Sequence, residues 1–138
     1  MLPFDWNAIQ RVIADNDWDG VSAASQCQRH FSHLRVEIAR EKLVHSSSHD
    51  VVLDLETDGD GWVVDHHKRE RPPQRPLSYA DGVPCTSTLV RQLMPQPDRA
   101  DLLLSATAEI TEGLVHIIRG DVSLDDLLAC EPDWRKQK

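Results

Sequence analysis

RVIADNDWDGVSAAS, residues 11–25, begins as a β-prone run, places aspartates at three alternate positions, and closes on a glycine followed by small residues. The apolar RVIA reads as a short strand over 11–14. VSAASQCQRHF, residues 21–31, has the small residues and the spacing of a helix. Strand, turn and helix follow one another, and Asp15, Asp17 and Asp19 fall in the turn where the strand ends.

Working outward, LRVEIA (34–39) alternates apolar and polar residues like a half-exposed strand, whereas VVLDL (51–55) and WVV (62–64) read as buried strands. Between these two, TDGDG (57–61) carries a hairpin-type turn signal. Pro72, Pro73, Pro76 and Pro84 make 69–84 an irregular connection. Helical patterns return over 86–94, 99–112 and 123–130, the last with Ser123 as N-cap and Asp125 and Asp126 in the first turn. Strands interleaved with helices in this order give an α/β fold, a mainly parallel sheet flanked by helices. With 138 residues, 40% of them apolar, a single domain is expected.

Composition narrows the function. The formal charge of −8 argues against a broad nucleic-acid footprint, but it leaves room for a narrow, metal-bridged contact with phosphate. Cys27, Cys85 and Cys130 are widely spaced and form no CxxC pair, which points away from a disulfide framework or a zinc knuckle. No apolar run reaches membrane-spanning length, and the start MLPFDWNAIQ lacks the basic and apolar segments of a signal peptide, so a cytoplasmic protein without membrane contact is expected.

In a parallel sheet, ligands bind at the carboxyl ends of the strands, and three acidic clusters fall there. They are Asp15, Asp17 and Asp19 after the first strand, Asp54 at the end of VVLDL, and Asp65-His66-His67 after WVV. Carboxylates joined by an imidazole suit Mn²⁺ or Mg²⁺ better than a thiolate-loving metal. DNDWDG also matches the opening of an EF-hand loop, but the twelfth position of that loop is Gln26, which supplies no bidentate carboxylate. Taken alone, either DNDWDG or DHH is compatible with a solvated surface turn.

The order DNDWDG, VVLDL, VVDHHKR resembles the successive motifs of the DHH phosphoesterase superfamily, in particular its RecJ-like nucleases, over residues 11 to about 113. The resemblance implies hydrolysis of phosphodiester or phosphoanhydride bonds with two manganese ions at the ends of a parallel sheet. It implies that Asp17 and Asp19 approach different ions, that Asp54 bridges them, and that His66 joins the second. His67 is then placed near the scissile phosphate as general acid or hydrogen-bond donor, and Asp65 supports or ligates the centre. The segment LLLSATAEITEG puts Glu109 where the family has a further aspartate. Some members have a histidine where this chain has Ile13, which leaves the first ion to be helped by Asp15 or water. Two ions, roughly 3.5–4 Å apart in such sites, call for many carboxylates because they bring four positive charges.

Lys68 and Arg69, with Arg71 and Arg75 beyond them, are candidates to gather a phosphate backbone at the mouth of the acidic site. Trp18 lies between two expected ligands, unlike Trp6, Trp62 and Trp134, which read as core or rim packing. RecJ-like relatives carry a C-terminal domain that closes over the substrate, whereas about twenty-five residues follow Gly113 here. The expected substrate is single-stranded nucleic acid or a short oligonucleotide, with a second copy or a partner protein supplying the missing wall. The competing readings are a weakly catalytic or non-catalytic DHH-fold subunit that binds a partner, and a nucleotide-binding regulator.

Overall fold

The computed structural model describes residues 3–120. The helix expected over 123–130, with Cys130, Trp134 and the basic end, lies outside the described residues. In chain order the elements are β1 (Arg11–Ala14), α1 (Trp18–His30), β2 (Arg35–Ile38), β3 (Leu43–Val44), β4 (Asp50–Leu53), β5 (Glu56–Thr57), β6 (Trp62–Asp65), β7 (Pro76–Tyr79), α2 (Thr86–Leu93) and α3 (Arg99–Arg119). Five strands make one parallel sheet in the order β2-β1-β4-β6-β7, and β3 pairs with β5 beside it. The chain steps from β1 outward to β2 and then returns to β4 on the other side, so the order reverses between β1 and β4. That reversal opens a crevice at the carboxyl ends of the two strands.

Side-chain alternation divides the core. Val12 and Ala14 of β1, Val51 and Leu53 of β4 and Val64 of β6 pack with Ala23, Ala24 and Cys27 of α1 and Leu89 and Val90 of α2. Ile13, Val52 and Val63 point to the other face, where Ala39, Leu55 and Val44 cover them. Burial on both faces explains why these strands are continuous apolar runs, each enclosed valine contributing about 1.5–3 kcal/mol. Among the described residues the covering on the second face comes from Ala39, Val44 and Leu55, in and around the β3–β5 pair, rather than from a helix. α3 packs against α1 and α2. Arg29 holds Asp98 and Asp101, and His30 Nε2 lies 2.6 Å from Asp101, fastening the end of α1 to the start of α3. No helix among the described residues is long and apolar enough to cross a membrane.

Two local expectations are corrected. TDGDG does not turn a hairpin, because β4 and β6 run parallel. The segment is a tight return lying against Ser46: a Cβ on Gly59 would sit 1.7 Å from the Ser46 carbonyl oxygen, and one on Gly61 would sit 2.4 Å from its hydroxyl oxygen. The glycines are there for close approach. The proline-rich stretch 69–84 is not wholly irregular, since it contains β7. Pro76 is the first residue of that strand and β7 is at the edge of the sheet, both settings in which a strand tolerates a residue without an N–H.

Arg11 donates to both oxygens of the buried Asp50 at 3.1 and 2.8 Å and reaches Glu37 at 2.9 Å. Burial pushes the Asp50 carboxyl up, but bonds from Arg11 and Ser47 outweigh it and hold the group below its usual range. A depressed carboxyl contributes stability above its unfolded pKa of about 3.9, and that contribution is lost as pH falls through the folded value. Thermal melts should therefore show a fall in stability on acidification below about pH 4 that Asp50→Asn flattens, with the variant about 1.5–3 kcal/mol less stable at neutral pH.

Candidate metal centre

The acidic turn after β1 is shaped by its own backbone. Asp17 is the N-cap of α1 and accepts from the Gly20 amide at 2.8 Å, so the helix begins at Trp18, three residues before the apolar spacing predicts. Gly20 is needed there because a Cβ would stand 2.3 Å from the Asp15 carbonyl oxygen. The Asp15 amide donates to the Leu53 carbonyl and the Asp54 amide to that of Val64, carrying the ladder one step past the strands and setting both aspartates at the crevice. Asp54 alone among the described non-glycine residues has a positive φ, at 66°. That left-handed conformation is costly for an ordinary side chain and is tolerated best by asparagine and aspartate.

Around Asp54 two donor sets meet. Asp15, Asp17 and Asp54 each offer an oxygen within 4.8 Å of the others, and Asp54, His66 and His67 do the same with oxygen and ring nitrogens. Asp54 belongs to both. His66 Nε2 also lies 3.4 Å from Asp19 Oδ2 and 3.4 Å from Asp54 Oδ1. It is buried and makes no hydrogen bond, so its contacts with the two carboxylates are electrostatic. The other ring nitrogen, Nδ1, is 3.1 Å from the Val83 carbonyl, which only an N–H can satisfy. In its neutral form, therefore, His66 turns a bare lone pair toward Asp19 and Asp54, the arrangement a divalent cation requires of an imidazole ligand. In the third set within 4.8 Å, His30, Asp98 and Asp101, both carboxylates are already bound by Arg29.

Electrostatics mark the same spot. Burial, opposed by His66 and reinforced by Asp19 and Asp17, pushes the Asp54 carboxyl up to about 7. Burial also raises Asp17, with the Asp15 and Asp19 charges adding to it. Burial pulls the His66 imidazole down, but Asp19 and Asp54 outweigh it and lift the ring to about 10. Carboxyls pushed above their usual range and an imidazole lifted well above its own are the signs of a cluster short of positive charge.

The remaining sequence candidates take defined positions. Asp19 is buried, and its two oxygens accept from the Ser87 amide at 2.8 Å and the Thr86 amide at 2.9 Å, so it caps α2, whose own N-cap Cys85 offers no side-chain bond. Asp65, expected to support or ligate, belongs to neither donor set. Its Oδ1 takes His67 Nδ1 at 2.7 Å and two backbone amides, and its Oδ2 takes Arg69 Nε at 2.9 Å and a terminal guanidinium nitrogen at 2.7 Å. Held by the Arg69 guanidinium and itself holding the His67 ring, it is a positioning residue. Burial raises it, yet the bonds from His67 and Arg69 hold it low. His67 is more than half exposed, and its bond to Asp65 raises its ring above the usual histidine range.

Arg69, expected to bind substrate, holds Asp65 and the Leu55 carbonyl with its guanidinium. Lys68 is exposed beside His67. Glu109 lies on α3 and accepts from Thr88 at 2.7 Å, outside both donor sets. Trp18 stays 45% exposed between Asp17 and Asp19. Sequence reading missed Thr86, whose hydroxyl donates to Asp54 Oδ1 at 3.0 Å, and Lys42, whose ammonium pairs with Asp15. Neither lies in an acidic motif, and only the folded chain brings them to one.

No family model matches the chain, and no curated protein matches it in sequence.

Proposed function

We propose that the chain is a DHH-type phosphoesterase, RecJ-like in its motifs, that uses two manganese ions, or magnesium in their place, to hydrolyse phosphodiester bonds in single-stranded nucleic acid or short oligonucleotides. The observation that carries this reading is Asp54: buried, at positive φ, at the point where the strand order reverses, and common to both donor sets. On this reading Asp15 and Asp17 would hold one ion with Asp54, and His66 would hold the other with Asp54, with Asp19, outside both donor sets, 3.4 Å from His66 Nε2 as a further carboxylate beside it. Bound there, a pair of ions supplies Lewis acidity toward the phosphate and lowers the pKa of an attacking water.

The chain's own residues do the rest. Asp65 fixes the His67 ring through Nδ1 and favours its protonated form, in which Nε2–H can protonate the departing alkoxide. Arg69 holds Asp65 in turn. Thr86 orients Asp54, and the Asp19 bonds to α2 keep that carboxylate from rotating away from His66.

Cation uptake must displace protons. At pH 7 without cations His66, lifted to about 10, carries one, and Asp54, lifted to about 7, is near its midpoint. Binding of Mn²⁺ at pH 7 should release about one to two protons, and affinity should rise with pH and fail in acid. Calorimetry in buffers of different ionisation enthalpy reads this directly, and uptake without proton release would contradict the assignment of His66. Function itself is tested by Mn²⁺-dependent hydrolysis of a labelled single-stranded oligonucleotide, lost in His66→Ala.

A partner-binding subunit is the second reading, favoured by Leu103, Ile110 and Leu114, which are 53%, 39% and 47% exposed at helical spacing on α3. Such a subunit with an idle centre gains no stability from Mn²⁺.

A further inference from the structure

On the sheet face away from the helices, a cavity of about 260 Å³ is floored by Val63 and walled by Thr57, Asp58, Arg69, Arg71 and Arg75. Three arginines line it in a chain of net charge −8. Each is differently engaged. Arg69 is paired with Asp65. Arg75 lies flat over Trp62, 4.1 Å from the ring centroid, and donates to the Asp60 carbonyl at 2.8 Å, a neutral partner that leaves its charge uncompensated. Arg71 is exposed and pairs with no carboxylate among the described residues. The opposing charge in the wall, Asp58, lies 2.9 Å from His45 Nδ1.

We infer that this cavity is a phosphate-binding site, separate from the metal centre, for the phosphate group of a nucleotide or of a nucleic-acid strand. Arginine forks match phosphate oxygens bidentately, and the two cations without carboxylate partners set the sign of the ligand. Stacking on Trp62 restrains the Arg75 side chain, which reduces the ordering cost of binding. The aliphatic floor and the volume admit a phosphate together with part of a sugar or base. The site does not depend on the phosphoesterase reading, since none of its wall residues is an expected metal ligand.

The test is calorimetric binding of AMP to the full chain at low salt in EDTA, which keeps cations out of the metal centre. Saturable binding is expected, with inorganic phosphate competing and adenosine failing to bind. Arg71→Gln removes an exposed side chain with no carboxylate partner, so the melting temperature should hold while AMP affinity falls about tenfold; a loss below about threefold overturns the inference. Asp54→Asn should leave AMP affinity unchanged, and its loss there would put the ligand at the metal centre instead. A 5′-phosphorylated dinucleotide separates the two sources: tighter binding than AMP assigns a strand, and equal or weaker binding assigns the free nucleotide. Absence of saturable AMP binding, or adenosine binding as well as AMP, overturns the site.

Discussion

Asp54→Asn is expected to abolish stabilisation by Mn²⁺ while leaving the metal-free protein at least as stable as the parent at pH 8. The substitution keeps what the backbone needs, because asparagine also accepts the positive φ of 66° and its carbonyl still accepts from Thr86. It removes one charge from each donor set. The sign for the metal-free protein follows from the raised carboxyl. A group whose folded pKa lies near 7 holds a proton that the unfolded chain has lost, so stability falls as pH rises from about 4 through 7. Asparagine fixes the neutral state and escapes that loss. With cation present the order inverts. At a hundredfold excess over Kd the parent gains about 2.7 kcal/mol, or roughly 10 °C in Tm for a chain of this size, and the variant gains close to nothing. Differential scanning fluorimetry with and without Mn²⁺ reads both halves. A variant still raised by Mn²⁺ as much as the parent would remove Asp54 from the centre.

Gly20→Ala should destabilise the fold by about 2–3 kcal/mol and disable cation binding, although helix propensity alone predicts a gain of about 1 kcal/mol inside α1. Sterics decide the sign. The added Cβ would lie 2.3 Å from the Asp15 carbonyl oxygen, 2.8 Å from its amide nitrogen and 2.9 Å from its carbonyl carbon. All three are backbone atoms, so no rotamer change relieves the clash, and either α1 or the acidic turn must shift. The turn carries Asp15 and Asp17, so its displacement breaks the donor geometry, and a shift of the helix moves Asp19 away from His66. Urea denaturation gives the stability change, and Mn²⁺ titration of the folded fraction gives the effect on the site. An alanine variant as stable as the parent would mean that the turn is looser than the described contacts require.

What could be read from the sequence divides along physical lines. The parallel α/β arrangement was legible because β1, β4 and β6 are buried on both faces and so appear as unbroken apolar runs beside helices with small-residue faces. The acidic ends of those strands were legible for the same reason, since a strand assignment fixes where its last residue stands. β7 was hidden by its prolines, because local propensity does not register that an edge position excuses a missing N–H. TDGDG was misread because glycine serves close approach as well as tight turning, and only Ser46, eleven residues before Thr57, shows which applies.

Side-chain partnerships were the least legible. Asp65 and Arg69 are four residues apart, yet their pairing depends on β6 ending where it does. The capping of α2 by Asp19 joins residues 67 and 68 positions apart, and the Arg29 and His30 contacts with Asp101 join residues 72 and 71 apart. No motif spans such distances.

The central claim is that carboxylates and an imidazole from three strand ends surround a pair of cations at Asp54. Diffraction at the manganese absorption edge from crystals grown with Mn²⁺ tests it most directly. Two anomalous peaks are expected roughly 3.5–4 Å apart, one beside Asp15 and Asp17, one beside His66, with Asp54 between them. Manganese found only at His30, Asp98 and Asp101, or no peak within bonding distance of Asp54, would contradict the account.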